Sequence, residues 1–133
     1  MPQTKSLGNW GERQAAVFIQ GKGHTILARN VHTPYGEIDL VAAVGSPLLT
    51  PGETNPTGTT VFIEVKTRRS RTFGYPEVSI TPKKLEHMRL SAEYYISQHP
   101  ELLGDWRVDV ICVERYRAGE KPQITLFENI QVV

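Results

Sequence analysis

The sequence lacks most of what would mark a secreted, membrane-bound or zinc-dependent protein. A single cysteine, Cys112, excludes an internal disulfide framework and any cysteine-rich zinc site. It lies in the apolar run Val110-Ile111-Cys112-Val113, the setting of a buried structural thiol and not of a nucleophile. No stretch approaches the ~20 apolar residues of a membrane span, and the opening Met1-Pro2-Gln3-Thr4-Lys5-Ser6 has no apolar segment of the signal-peptide kind. A cytoplasmic protein with no membrane partner is expected. His24, His32, His87 and His99 show no ligand spacing with cysteine or with one another. Gly21-Lys22-Gly23 lacks the helix-opening signature of a phosphate loop, and no Gly-x-Ser-x-Gly elbow occurs.

What is present suits one globular domain spanning residues 1–133. With 133 residues, 39% of them hydrophobic and 22% charged, the chain is too short for two full domains. It is long enough to bury roughly two-thirds of its unfolded surface. Fifteen basic and fourteen acidic side chains nearly cancel, so the global charge does not announce a nucleic-acid binder, but the local distribution is uneven. Residues 1–36 hold Lys5, Arg13, Lys22 and Arg29 against Glu12 alone, and residues 65–76 hold Lys66, Arg68, Arg69 and Arg71 against no acid. Such clusters form either a phosphate-facing patch or a solvated basic surface.

Asn9 followed by Glu12 resembles an N-cap with its capping-box partner, and Gly21 and Gly23 supply a stop, which predicts a helix over 9–22. Strands are expected over 24–32 and 37–43, joined by a turn at Pro34-Tyr35-Gly36. Residues 45–60, rich in proline, glycine and threonine, read as a long mobile loop. Val61-Phe62-Ile63-Glu64-Val65-Lys66 is the strongest strand signal. Thr81 with Pro82 starts a helix carrying Leu85, Met88, Ala92, Tyr95 and Ile96 on one face. Strands over 106–114 and 123–128 complete the order αβββαββ, an α/β fold with a mixed sheet and flanking helices.

The charged residues inside the two best strands carry the functional argument. Strand side chains alternate faces, so Glu37 and Asp39 are expected opposite Ile38 and Leu40, and Glu64 and Lys66 opposite Ile63 and Val65. If the strands are neighbours, Asp39, Glu64 and Lys66 converge. One reading is a cross-strand ion pair of Lys66 with Asp39 or Glu37. The other is a site in which two carboxylates hold Mg²⁺ or Mn²⁺ and a lysine assists an attack on phosphate.

Gly36-Glu37-Ile38-Asp39-Leu40, Phe62-Ile63-Glu64-Val65-Lys66-Thr67-Arg68, Phe73-Gly74 with Pro76-Glu77, Lys83-Lys84 and the helical pair Gly11-Glu12 together resemble the YraN-like family of uncharacterised bacterial proteins. That family is placed in the PD-(D/E)xK nuclease superfamily and is similar to archaeal Holliday-junction resolvases. The resemblance implies a restriction-endonuclease-like domain that cleaves nucleic-acid phosphodiesters with Mg²⁺ or Mn²⁺. DNA is implied ahead of RNA, branched or distorted DNA is a candidate substrate, and pairing as a homodimer is implied by the resolvases. It further implies Asp39 and Glu64 as metal ligands, Glu12 as a third, and Lys66 as the lysine that positions water. Glu37 is a second acid beside the site. Arg13, Arg68, Arg69, Arg71, Lys83 and Lys84 are candidates for phosphate contact. Two alternatives remain: an RNA-processing nuclease, and a nucleic-acid-binding or docking module without turnover. The stretch between Ala43 and Thr60 is longer than the connection expected of the family.

Overall fold

The computed structural model describes residues 2–45, 58–69 and 80–131. Within them the chain forms α1 (Pro2–Gly21), β1 (Thr25–Thr33), β2 (Gly36–Val44), β3 (Thr59–Arg68), α2 (Pro82–Gln98), β4 (Asp105–Glu114) and β5 (Gln123–Phe127), the element order read from the sequence. Arg71, Phe73-Gly74, Pro76-Glu77 and positions 46–57 of the expected loop lie outside the described residues. No helix among the described residues is long and apolar enough to cross a membrane.

One boundary differs in a way that matters. α1 starts at Pro2 and not near Asn9, because a proline at the first helical position has the right φ and needs no hydrogen-bonded N–H. Asn9 is therefore an exposed residue of the helix interior, and the capping box with Glu12 does not form. Glu12 is left available for other contacts. The far end does stop as the glycines predict. Gly23 at φ 94° turns the chain while its N–H donates to the carbonyl of Gln20 and that of His24 donates to the carbonyl of Ile19, both at 3.0 Å, the Schellman pattern.

The strands lie in the order β1-β2-β3-β4-β5. All neighbours are antiparallel except β3 and β4, which run parallel, joined by the crossover through α2. Both faces are covered. Ala15, Ala16 and Ile19 of α1 pack on Leu40, Ala42, Val61, Ile63, Ile111 and Val113. On the other face Leu85, Ala92 and Tyr95 of α2 pack with Ile38, Val41, Phe62 and Val108. Phe62 anchors this second layer by edge-on contacts with Tyr95 and Trp106, at centroid distances of 5.6 and 5.8 Å, each worth about 1 kcal/mol beyond burial. Cys112 is fully buried, as its apolar run suggests.

Simple alternation fails at one place. Ile38 packs on the α2 face and Leu40 on the α1 face, so β2 twists around Asp39 instead of presenting Ile38 and Leu40 together. β1 is irregular opposite this region, with a register shift between Ile26 and Ala28 and a left-handed Asn30 at φ 50°. The residue at which the alternation of β2 breaks is the carboxylate Asp39.

Candidate active site

The site begins where two strands part. The β2–β3 register runs from Val44 opposite Thr59 to Leu40 opposite Ile63. Past that pair, β2 stays with β1 through Glu37 and Gly36, while β3 stays with β4 through Arg68. A fork opens between them. The N–H of Val65 on the β3 side of the fork donates to Asp39 Oδ2 at 2.7 Å, so the Asp39 carboxylate occupies the place of a β2 carbonyl.

Three acids lie close enough there for Glu64 and Glu12 both to act on Asp39. Asp39 is pushed up to about 7, first by burial and then by the nearby Glu64 charge; the Val65 N–H opposes the shift, and Glu12 adds to it by its charge and by a hydrogen bond between the two side chains. Close to neutral pH, then, a proton resides on Asp39 much of the time. Glu12 reaches this point because α1 lies hard against β3. Gly11, just before it, is buried, and a Cβ there would stand 1.9 Å from Thr67 Oγ1.

Two cations meet the third acid. Lys66 Nζ stands 3.3 Å and Lys84 Nζ 3.0 Å from Glu64 Oε1, and the Glu64 side chain is only 15% exposed. Lys66 thus pairs with its own strand neighbour two residues back, and the expected cross-strand partners, Asp39 and Glu37, are not the ones it takes. Lys84 arrives from the first turn of α2, whose start is fixed as the sequence suggests: Thr81 Oγ1 accepts from the Lys84 N–H at 3.1 Å and Pro82 opens the helix. No acid occupies that first turn. A lysine in the first turn works against the helix dipole, and the Glu64 carboxylate offsets that cost.

Asp39, Glu64 and Lys84 line a cleft of about 260 Å³ with Tyr35, Glu37 and His87. Glu37 is also the cross-strand partner of His32, at 3.1 Å on exposed surface. The wall carrying Tyr35 is held by Thr33, whose hydroxyl donates to the Gly36 carbonyl at 2.7 Å and shares a 2.9 Å hydrogen bond with buried Ser91 of α2. His87 is three residues beyond Lys84 and so on the same helix face. That spacing is legible in the sequence. Tyr35 carries no comparable signal.

The remaining basic candidates are spread more widely. Lys83 and Arg13 are exposed, Arg69 is exposed just past the end of β3, and Arg68 is half-buried near that end. None of these four lines the cleft around Glu64.

The donor set is all oxygen, the kind Mg²⁺ and Mn²⁺ take, and Asp39, buried among acids, is the carboxylate that a cation would most relieve. Glu64 is drawn toward the two lysines. Among the described residues no three histidine, cysteine or carboxylate side chains stand around a common point at ligand distance. The residues therefore fit a divalent cation in chemical type and in charge, with Glu64 required to turn from the lysines to complete the set.

Comparison with known proteins agrees with the motif reading at the level of the family. The profile described as "Uncharacterised protein family UPF0102" matches residues 11–113. A protein of Syntrophomonas wolfei named "UPF0102 protein" is 38% identical over 82% of this chain and 84% of its own length. A protein of the same name in Caldicellulosiruptor saccharolyticus is 37% identical over 94% of this chain and 96% of its own. One from Neisseria meningitidis serogroup C is 39% identical over 85% and 88%.

Proposed function

Because the chain belongs to the uncharacterised protein family UPF0102, a membership that brings no activity with it, we propose a function from the site itself: metal-dependent hydrolysis of a nucleic-acid phosphodiester bond, with DNA ahead of RNA. The observation that carries this reading is the meeting of Asp39, Glu64 and Glu12 at the fork of β2 and β3, with Lys66 and Lys84 on Glu64. Three acids in a half-buried fork destabilise one another, and a structural role would be filled better by a single ion pair. The likeness of the motifs to PD-(D/E)xK nucleases supports the same reading.

Asp39, Glu64 and Glu12 would hold Mg²⁺ or Mn²⁺. A cation there supplies Lewis-acid polarisation of the phosphate and a bound water of lowered pKa. Lys66 orients the attacking water and offsets the negative charge that grows on the phosphate oxygens. Lys84, released from Glu64, adds a second positive group at the dipole-positive end of α2. Arg13, Arg68, Arg69 and Lys83, with Arg71 on sequence grounds alone, hold flanking phosphates without reading bases. Pairing of two chains to cut two strands belongs to the same proposal.

The test is a cleavage panel of labelled junction, flap, duplex and single-stranded DNA together with RNA, in Mg²⁺, Mn²⁺ or chelator, with the oligomeric state read by light scattering. Metal-dependent cleavage that Asp39→Ala abolishes supports the reading. Its absence on every substrate moves the protein to a binding module, a reading favoured by the closed contact of Glu64 with two lysines.

A further inference from the structure

Because β3 and β4 run parallel, their ends leave the sheet side by side. Arg68 lies opposite Glu114, and the Arg115 N–H continues the ladder by donating to the Arg68 carbonyl at 3.1 Å. The residues just past both ends are basic. Arg69, Arg115 and Arg117 line one cavity of about 280 Å³ with Tyr116 and Ala118. This cavity shares no residue with the cleft around Glu64.

Three guanidinium groups around one hollow repel each other, and among the described residues none of the three forms an ion pair with a carboxylate. The nearest acids are engaged by other donors. Glu114 is buried and accepts from the Tyr116 hydroxyl, and Glu120 Oε2 accepts from the Arg117 backbone N–H at 3.2 Å. Arg115 is braced from the other side, its guanidinium 4.2 Å from the centre of the Trp10 ring on α1. A guanidinium fixed by stacking keeps its fork of N–H donors aimed outward, the geometry that takes phosphate oxygens in pairs. Tyr116 is 41% exposed while its hydroxyl is tied down, so its ring stays at the pocket as a surface on which a base can stack.

We infer that Arg69, Arg115 and Arg117, with Tyr116, form a second nucleic-acid subsite, one that holds a backbone phosphate of the strand whose cleavage is proposed at Asp39, Glu64 and Lys66. The inference rests on that functional reading for its substrate. Lys66 and Arg69 are three residues apart, so Lys66 meets α2 on one face of the sheet while the pocket opens beside α1 on the other, and a strand held at both passes over the end of the sheet. The pocket contacts phosphate and a base face, and so selects nucleic acid without selecting sequence.

Binding of a fluorescent single strand and of a duplex is measured by anisotropy in chelator, over a series of salt concentrations, for the wild type, Arg117→Glu and Arg115→Gln/Arg117→Gln. The subsite predicts affinity reduced about tenfold or more and a salt slope flattened by roughly one unit per lost contact. Arg117→Glu should melt with the wild type because its side chain is exposed, which guards against loss of fold in the double variant. Inorganic phosphate and a nucleoside monophosphate serve as competitors. Displacement of the oligonucleotide only at high concentrations of either is expected of a backbone-phosphate subsite, whereas strong displacement by the mononucleotide assigns the pocket to free nucleotide and overturns the proposal. Unchanged affinity and slope in Arg117→Glu overturn the subsite while leaving the nuclease reading intact. Loss of affinity in a protein that never cleaves keeps the subsite and removes the nuclease. A wild type that binds neither strand removes the subsite and leaves the nuclease reading to the cleavage panel.

Discussion

Gly11 and Thr67 approach so closely that a Cβ on the glycine would lie 1.9 Å from the threonine Oγ1. The contact sets the distance between α1 and β3, and the next residue along α1 is Glu12. Gly11→Ala should gain about 1 kcal/mol of helix propensity and lose about 1–3 kcal/mol to overpacking. The expected result is a protein destabilised by about 1 kcal/mol. Thermal melts of Gly11→Ala, Thr67→Ala and the pair test this, because the double variant should recover most of the loss. Additive effects would mean that the two residues do not constrain each other.

The convergence of acids predicts a response to metal. If Mg²⁺ binds only the folded chain, a concentration one hundred times its dissociation constant should raise stability by ~2.7 kcal/mol. Asp39→Ala should remove that rise. Since Asp39 is pushed up to about 7, binding must displace its proton, and the apparent affinity should fall up to about tenfold per pH unit below that value. Equal metal shifts in wild type and variant, read by calorimetry, would leave the acids with no role as ligands.

The same carboxyl predicts how stability changes with pH in the absence of metal. Its folded value of about 7 lies above the unfolded value of about 3.9, so between the two the folded chain binds the extra proton. The contribution is fully present below about pH 4 and is lost as pH rises through about 7. Asp39→Asn keeps an oxygen to accept from the Val65 N–H and removes the charge. It should be the more stable protein at about pH 8, by an amount on the order of 2 kcal/mol, and equal to the wild type near pH 4. Urea unfolding across this range decides the matter. Parallel pH profiles would show that Asp39 ionises freely.

Much of this architecture was legible because hydrophobic periodicity and caps are local. Leu85, Met88, Ala92, Tyr95 and Ile96 face the sheet as their spacing requires, and Thr81-Pro82 opens α2. Glu64 and Lys66 were found because charged residues in a strong strand stand out. The start of α1 was not found, since the capping pattern at Asn9 and Glu12 mimics a boundary that Pro2 supersedes. Nor was the side-chain direction at Ile38, because β2 twists at Asp39 and so breaks the period of two on which the reading rests. Lys84 was proposed as a phosphate contact. Its approach to Glu64 depends on how α2 crosses the sheet, which no local pattern encodes. Arg115 and Arg117 carry no local signal, because they join Arg69 only through the parallel pairing of β3 and β4.

The lysine on β3 separates turnover from binding. Lys66→Met keeps a stem of similar length and removes the ammonium, so strand packing should persist. Cleavage should fall about a hundredfold or more, as expected when a cation on a phosphoryl transition state is lost. Affinity for the uncleaved strand should change far less, because one phosphate contact among several is removed. Single-turnover rates beside equilibrium binding make the comparison. Full cleavage by the variant, in protein cleared of contaminating nuclease, would remove Lys66 from the mechanism.

The parallel pairing of β3 with β4 also has a consequence during synthesis. The β1–β2 hairpin is local, and β3 can add to it as soon as it emerges from the ribosome. The other side of β3 must then wait for β4, which comes after α2 in the chain. At about 5–20 residues per second this delay lasts several seconds. Throughout it Val61, Phe62 and Ile63, fully covered in the finished protein, form an apolar strand with one open edge, the arrangement most prone to pairing with another chain. Nascent chains halted before Asp105 should therefore associate with one another or engage a holding chaperone, and chains halted after Glu114 should not.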